Sequence, residues 1–160
     1  MAGEPGTNTV RDAVADDAGT VGRLLYDFNV EFESPTPDAE TFARRFRPLL
    51  DRPDVIVALA EGETGEPTGF AYLTLRPTPY YDGRLAQLEE LYVVPGLRDR
   101  GIGTALLTHA IDGVRARGAH EVHINVDEID ADTRRFYERH GFRNIEPGTD
   151  YRMLCYIREL

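Results

Sequence analysis

The stretch from 88 to 107, LEELYVVPGLRDRGIGTALL, holds the residues whose types and spacing could do chemistry. It reads as a β-strand, a turn rich in Arg and Gly, and a helix that opens on glycines. Such a junction binds anions. The first N–H groups of a helix lack an intrahelical acceptor, and the helix dipole adds partial positive charge at the same point. Gly101 and Gly103 carry no side chain that would keep a diphosphate from those N–H groups. Arg98 and Arg100 can add charge-assisted hydrogen bonds. Upstream on the strand, Glu89 and Glu90 supply the carboxylates that a proton transfer needs.

The spacing excludes two familiar phosphate loops. Gly96 and Gly101 have the G-x-x-x-x-G interval of a nucleotide P-loop, but Ile102 and Gly103 follow instead of Lys and Ser or Thr. The chain contains no lysine at all. A dinucleotide fingerprint needs a third glycine at 106, where Leu106 stands. What remains is Arg98-x-x-Gly101-x-Gly103, preceded by Val93-Val94-Pro95.

That remainder resembles the coenzyme A diphosphate loop of the GNAT superfamily of N-acetyltransferases. A second segment, Arg135-Phe136-Tyr137-Glu138-Arg139-His140-Gly141-Phe142, is similar to the same family's late helix, with its Phe-Tyr pair and Gly-Phe turn. The resemblance spans roughly residues 10–157 and is best over 85–142. It implies acetyl-CoA as co-substrate, no metal, and a small-molecule primary amine as acceptor, attacking directly in a ternary complex. By resemblance, Leu91, Tyr92 and Val93 offer main-chain groups to the pantetheine arm, in a gap between two parting strands. Arg98, Asp99, Arg100, Gly101, Ile102, Gly103 and Thr104 hold the diphosphate, and an N–H near Val93 meets the oxyanion. Tyr137 matches the tyrosine that protonates the leaving thiolate. The family often has Asn seven residues before that tyrosine, contacting the arm; here the position is Asp130, which accepts a hydrogen bond but cannot donate one.

Amine acetylation sets a definite task for a carboxylate. An ammonium with a pKa near 10.4 must lose a proton before attack, which at pH 7 costs on the order of 4.6 kcal/mol. Strand alternation puts Glu89 with Leu91 and Val93, and Glu90 with Leu88 and Tyr92. The segment also resembles the Leu-Glu-Asp of diamine acetyltransferases, whose first acid is the base, so Glu89 is favoured and Glu90 is the alternative. The acidic run 127–132 is similar to a stretch in aminoglycoside 3-N-acetyltransferases. It either binds cations or caps the helix that follows. The histidines at 109, 120, 123 and 140 form no ligand set, with His120 read as loop. Polyamine-like or aminoglycoside-like acceptors suit the acidic balance. A peptide or protein amine is the alternative acceptor, and a non-catalytic acyl-CoA sensor the alternative function.

The elements that must position these groups follow from periodicity and punctuation. Residues 9–13 read as a strand, and 15–32 as a helix with Val21, Leu24, Leu25 and Phe28 on one face. Ser34-Pro35-Thr36-Pro37 breaks the chain, and Asp38 caps a second helix with Phe42, Phe46, Leu49 and Leu50 as its apolar stripe. Strands are expected at 55–61, 68–75 and 84–94, a helix at 102–117, a strand at 121–126 and a helix at 132–140. Residues 142–146 and 151–157 read as two last strands, with Cys155 buried in the second. The order βααβββ-α-β-α-ββ describes an α/β fold with four helices and a mixed, largely antiparallel sheet of about seven strands, as the resemblance implies.

Composition bounds the rest. At 160 residues, one domain over 9–160 is expected after a disordered tail at 1–8. A net charge of −10 argues against nucleic acid as a partner, because phosphate neutralisation needs a basic face. No run approaches the ~20 apolar residues of a membrane span, so no membrane partner is expected. One cysteine cannot form an internal disulfide, which suits a cytoplasmic protein. The resemblance adds a homodimer.

Overall fold

The computed structural model describes residues 7–160, so positions 1–6 of the expected tail lie outside the described residues. The described chain falls into two units, one running to His123 and the other from Ile124 to Leu160.

In the first unit, β2 (Val55–Glu61) is the spine. Its sequence VIVALA shows no alternation, and all six residues are buried, as expected of a strand covered on both faces. β1 (Thr9–Asp12), β3 (Pro67–Pro77) and β4 (Arg84–Val93) extend the sheet through three antiparallel pairings, and β5 (Ala119–Ile124) lies next to β4. α1 (Ala18–Glu31) and α2 (Ala39–Leu50) cover one face, where Val21, Leu24, Leu25 and Phe46 pack with Val57, Leu59, Phe70 and Tyr92. α3 (Ile102–Ala116) covers the other, with Leu106, Leu107, Ala110 and Val114 buried.

The local causes are visible. Asp38 caps α2 by accepting from the Thr41 N–H at 2.7 Å. α1 and α2 meet at Gly22, where a Cβ would lie 2.6 Å from the Ala43 nitrogen, so only glycine allows their approach. A short 3-10 turn at Ala15–Asp17 precedes α1, placing the helix start three residues after the expected one. β5 begins at Ala119, directly after Gly118 at φ +88°, and therefore contains His120. It ends at Ile124, two residues short of the expected 126.

The second unit carries α4 (Ala131–Arg139), where Tyr137 is buried among Phe136 and Phe142. The two strands expected after it are absent among the described residues, so the sheet has five strands rather than seven and the order stops at βααβββ-α-β-α. A turn does form at Glu146 to Thr149, and Met153 donates to the Asn144 carbonyl at 2.7 Å. One cross-chain bond is not a ladder. Strand propensity measures fit to a pleated, half-buried surface, and an isolated hairpin is marginal without one. Tyr156 and Ile157 are 89% and 87% exposed, and Cys155 is exposed rather than buried.

Candidate active site

β4 is not a regular strand. Opposite β3, Leu88 pairs with Leu73 and Glu90 with Tyr72, so Glu89 has no cross-strand partner. It is the extra residue of a β-bulge. The expected alternation therefore fails at this point. Glu90 does share a face with Tyr92, but Leu88 turns to the opposite face with Leu73 and Leu91. Glu89 leans to the Tyr72 and Thr74 side, where its Oε1 accepts from the Thr74 hydroxyl at 2.7 Å. A one-residue insertion thus brings both acids to the face that α1 and α2 cover.

The two acids differ in environment. Glu89 is exposed, and Glu90 is half-buried beside Tyr72, whose ring meets Phe46 edge-on at 5.5 Å. Burial, and then the neighbouring Glu89 charge, push the Glu90 carboxyl up to about 7. Burial and the charge of Glu89 also raise the Tyr72 hydroxyl.

Past Val93 the chain makes a 3-10 turn at Pro95–Leu97, then takes two left-handed steps, at Asp99 (φ +61°) and Gly101 (φ +83°). Alternation of right- and left-handed residues turns successive N–H groups towards one point, a geometry suited to anions. Among the described residues, none of the amides from Asp99 to Gly103 donates to a main-chain carbonyl, and Ala105, donating to Gly101 at 3.0 Å, starts the helical ladder. This unpaired cluster fits a diphosphate.

Arg98 does not join that cluster. Its fork closes on Glu31, the last residue of α1, with two bonds of 2.7 Å. Its Nε donates to the Val93 carbonyl at 3.0 Å, and its guanidinium lies 5.7 Å from the Tyr92 ring centre. Arg98 is a brace between α1, the end of β4 and the loop. Leu91 and Tyr92 stand opposite Ala71 and Phe70, with their strand's other edge beside β5. Sequence reasoning missed Glu31, Tyr72 and Thr74, because nothing local marks residues that meet the site only through strand register or a helix end.

In the second unit, Asp130 caps α4 by accepting from the Thr133 N–H at 3.2 Å, which gives the acidic run a structural role. His123 pairs with Glu121, and His109 with Asp12 at 2.8 Å. Among the described residues no His, Cys, Asp and Glu group could hold a metal ion, and no helix is long and apolar enough to cross a membrane.

Comparison with known proteins agrees with this geometry. The acetyltransferase (GNAT) family pattern matches residues 21–142. The crystal structure of an Arthrobacter sp. FB24 protein placed among the acetyltransferases is 47% identical, covers 98% of this chain and 99% of its own, and superposes with a TM-score of 0.88. An uncharacterised N-acetyltransferase of Methanocaldococcus jannaschii is 30% identical over 88% of this chain and 62% of its own length. The Klebsiella aerogenes aminoglycoside N(6')-acetyltransferase type 1 is 43% identical over 41% of this chain and 44% of its own. The chain thus spans less than two thirds of the length of these curated relatives. Bulged strand, glycine turn and helix-start amides lie inside the matched region, and the chain belongs to the acetyltransferase (GNAT) family.

Proposed function

We propose that this protein transfers an acetyl group from acetyl-CoA to a small primary amine by direct attack in a ternary complex. The observation that carries the reading is the bulge at Glu89, which sets the half-buried Glu90 carboxyl, pushed up to about 7, beside a second acid on the same face. A base with that pKa is matched to neutral pH. Glu90 is therefore the better base, and Glu89 the charge that tunes it.

Acetyl-CoA supplies the thioester, with its diphosphate on the amides of residues 99–103. Glu90 takes a proton from the entering ammonium, directly or through water, which frees the nitrogen lone pair for the thioester carbonyl. As the C–N bond forms and the C–S bond breaks, Tyr137 gives its proton to the departing sulfur, and the second proton lost by the attacking nitrogen restores the Tyr137 hydroxyl through water, leaving a neutral amide and the free thiol. That role rests on the family likeness of the Phe136-Tyr137 pair.

The test is release of free thiol from acetyl-CoA with a panel of amines. It starts with aminoglycosides and polyamines, which suit an acidic protein and, for the first, the Klebsiella relative. Turnover with at least one small amine is expected. Binding of acetyl-CoA with no turnover on any amine, basic peptides included, would instead identify an acyl-CoA sensor.

A further inference from the structure

The sheet holds its two neighbouring acids by different means. Glu90 is fixed within the ladder, because it stands level with Tyr72 of β3. Glu89 is not, since the register shifts between Tyr72 and Leu73 and leaves it without a cross-strand partner. It is also exposed, so its side-chain torsions would ordinarily wander in water.

One contact replaces the missing pairing. The Thr74 hydroxyl donates to Glu89 Oε1 at 2.7 Å, a length typical of a hydroxyl that meets a carboxylate. Thr74 is suited to this hold. It lies within β3, paired with Gln87, and its β-branch stiffens χ1. It shares a face with Tyr72, so its hydroxyl draws Glu89 to the side on which Glu90 lies. Other groups on that face are committed elsewhere. α2 presents the Phe46 ring to Tyr72 rather than a charge. Arg52 and Asp54, just before β2, lie within reach of the Tyr72 hydroxyl but grip each other with bonds of 2.8 and 2.6 Å. From α1, Asp27 and Glu31 lie towards Tyr92, and Glu31 is held by Arg98. Among the described residues, the charge that bears on Glu90 is that of Glu89.

We propose that Thr74 is a positioning residue for the acetyl transfer, its hydroxyl holding the Glu89 carboxylate beside the proton-accepting Glu90. This rests on the acetyltransferase reading with Glu90 as the base. Burial raises the Glu90 carboxyl most, and the Glu89 charge adds to it. Released into water, that charge would be farther away and better screened, so Glu90 would give up its proton at lower pH.

Thr74→Val keeps the β-branch and removes the hydroxyl, whereas Thr74→Ser keeps the hydroxyl. The Glu90 midpoint is read twice. One reading is the pH-rate profile of thiol release; the other is carboxyl-carbon NMR of the resting protein, assigned by the signal lost in Glu90→Gln. Valine is expected to lower both midpoints by roughly half a pH unit, the smaller share of the rise, and serine to restore them. In a Glu89→Gln background valine is expected to change neither. A general loosening or drying of this face would act without Glu89, so that background separates the two roles. An unmoved midpoint in Thr74→Val, a change that persists in the Glu89→Gln background, or serine behaving as valine does would overturn the positioning role and leave the acetyltransferase reading intact. Should no amine be acetylated, that reading fails, and the resting-protein titration alone decides the hold of Thr74 on Glu89: the same pattern supports it, and its absence overturns it.

Discussion

The glycine loop and the bulged acid pair are both reached from β4, yet they are built from different materials. In the proposed reading the loop works through main-chain amides, and its specificity lies in backbone angles at Asp99 and Gly101. In the same reading the acid pair works through side chains, and its chemistry depends on how far Glu90 is withdrawn from water. A main-chain site tolerates many side chains but very few changes of φ. A side-chain site tolerates neighbours of several kinds but not the loss of one carboxyl. The comparison predicts which substitutions abolish binding and which abolish turnover.

The largest effect on coenzyme binding is expected at Gly101. An L side chain at φ +83° is strained whatever the surrounding space, at about 1–2 kcal/mol, and valine is worse for its β-branch. Relief of that strain turns the amides away from their common point. Loss of two charge-assisted hydrogen bonds corresponds to roughly 100-fold in coenzyme affinity, measured by calorimetry with Gly101→Val. Normal binding by this variant would mean that the diphosphate lies elsewhere.

Glu90→Gln should leave coenzyme affinity unchanged and lower kcat/KM by roughly 10²–10⁴-fold. In the wild type, rate should climb with pH and reach half its plateau near 7, because only the deprotonated carboxyl accepts a proton. The variant should lack that limb. Glu89→Gln sharpens the distinction. Removing the neighbouring charge lets Glu90 ionise more easily, so the midpoint moves below 7 while the plateau falls by no more than about tenfold. If Glu89 is instead the base, the two variants exchange their effects.

A smaller effect separates two roles for Arg98. As a brace, it needs Glu31, so Arg98→Ala and Glu31→Gln should each weaken coenzyme binding by about three- to tenfold. A diphosphate ligand held off by Glu31 would behave oppositely, with Glu31→Gln tightening binding.

How much of this was legible in the sequence follows from the same contrast. The loop was, because Gly101 and Gly103 mark a backbone conformation that is decided within a few residues. So were α2, through Asp38 and its apolar stripe, and β2, through an unbroken apolar run. The placement of Glu89 and Glu90 was not. A bulge is a mismatch between two strands, and neither strand's alternation records it alone. Arg98 showed its charge, but Glu31 is 67 residues away and its partnership is purely tertiary. The two expected C-terminal strands, absent among the described residues, illustrate the reverse error: the apolar run at 153–157 states a preference for a sheet surface without supplying one.

The smallest effect tests the acid pair through stability rather than turnover. The Glu90 carboxyl has an ordinary value of 4.5 and rises to about 7 in the folded chain. Between those values the folded state holds more protons than the unfolded state, so stability falls as pH rises through this window. Below 4.5 both states are protonated and burial carries no charge penalty. Above 7 the folded protein holds a carboxylate that would be better solvated unfolded. Glutamine removes that penalty, so Glu90→Gln should be more stable than the wild type at pH 8, on the order of 1–2 kcal/mol after allowing for partial solvent screening. The gap should close as pH falls through the window and vanish near pH 4. Denaturant melts of both proteins at several pH values measure it. A variant less stable than the wild type at pH 8, or an offset independent of pH, would show that Glu90 is not held against its ionisation and would return the proton-accepting role to its bulged neighbour.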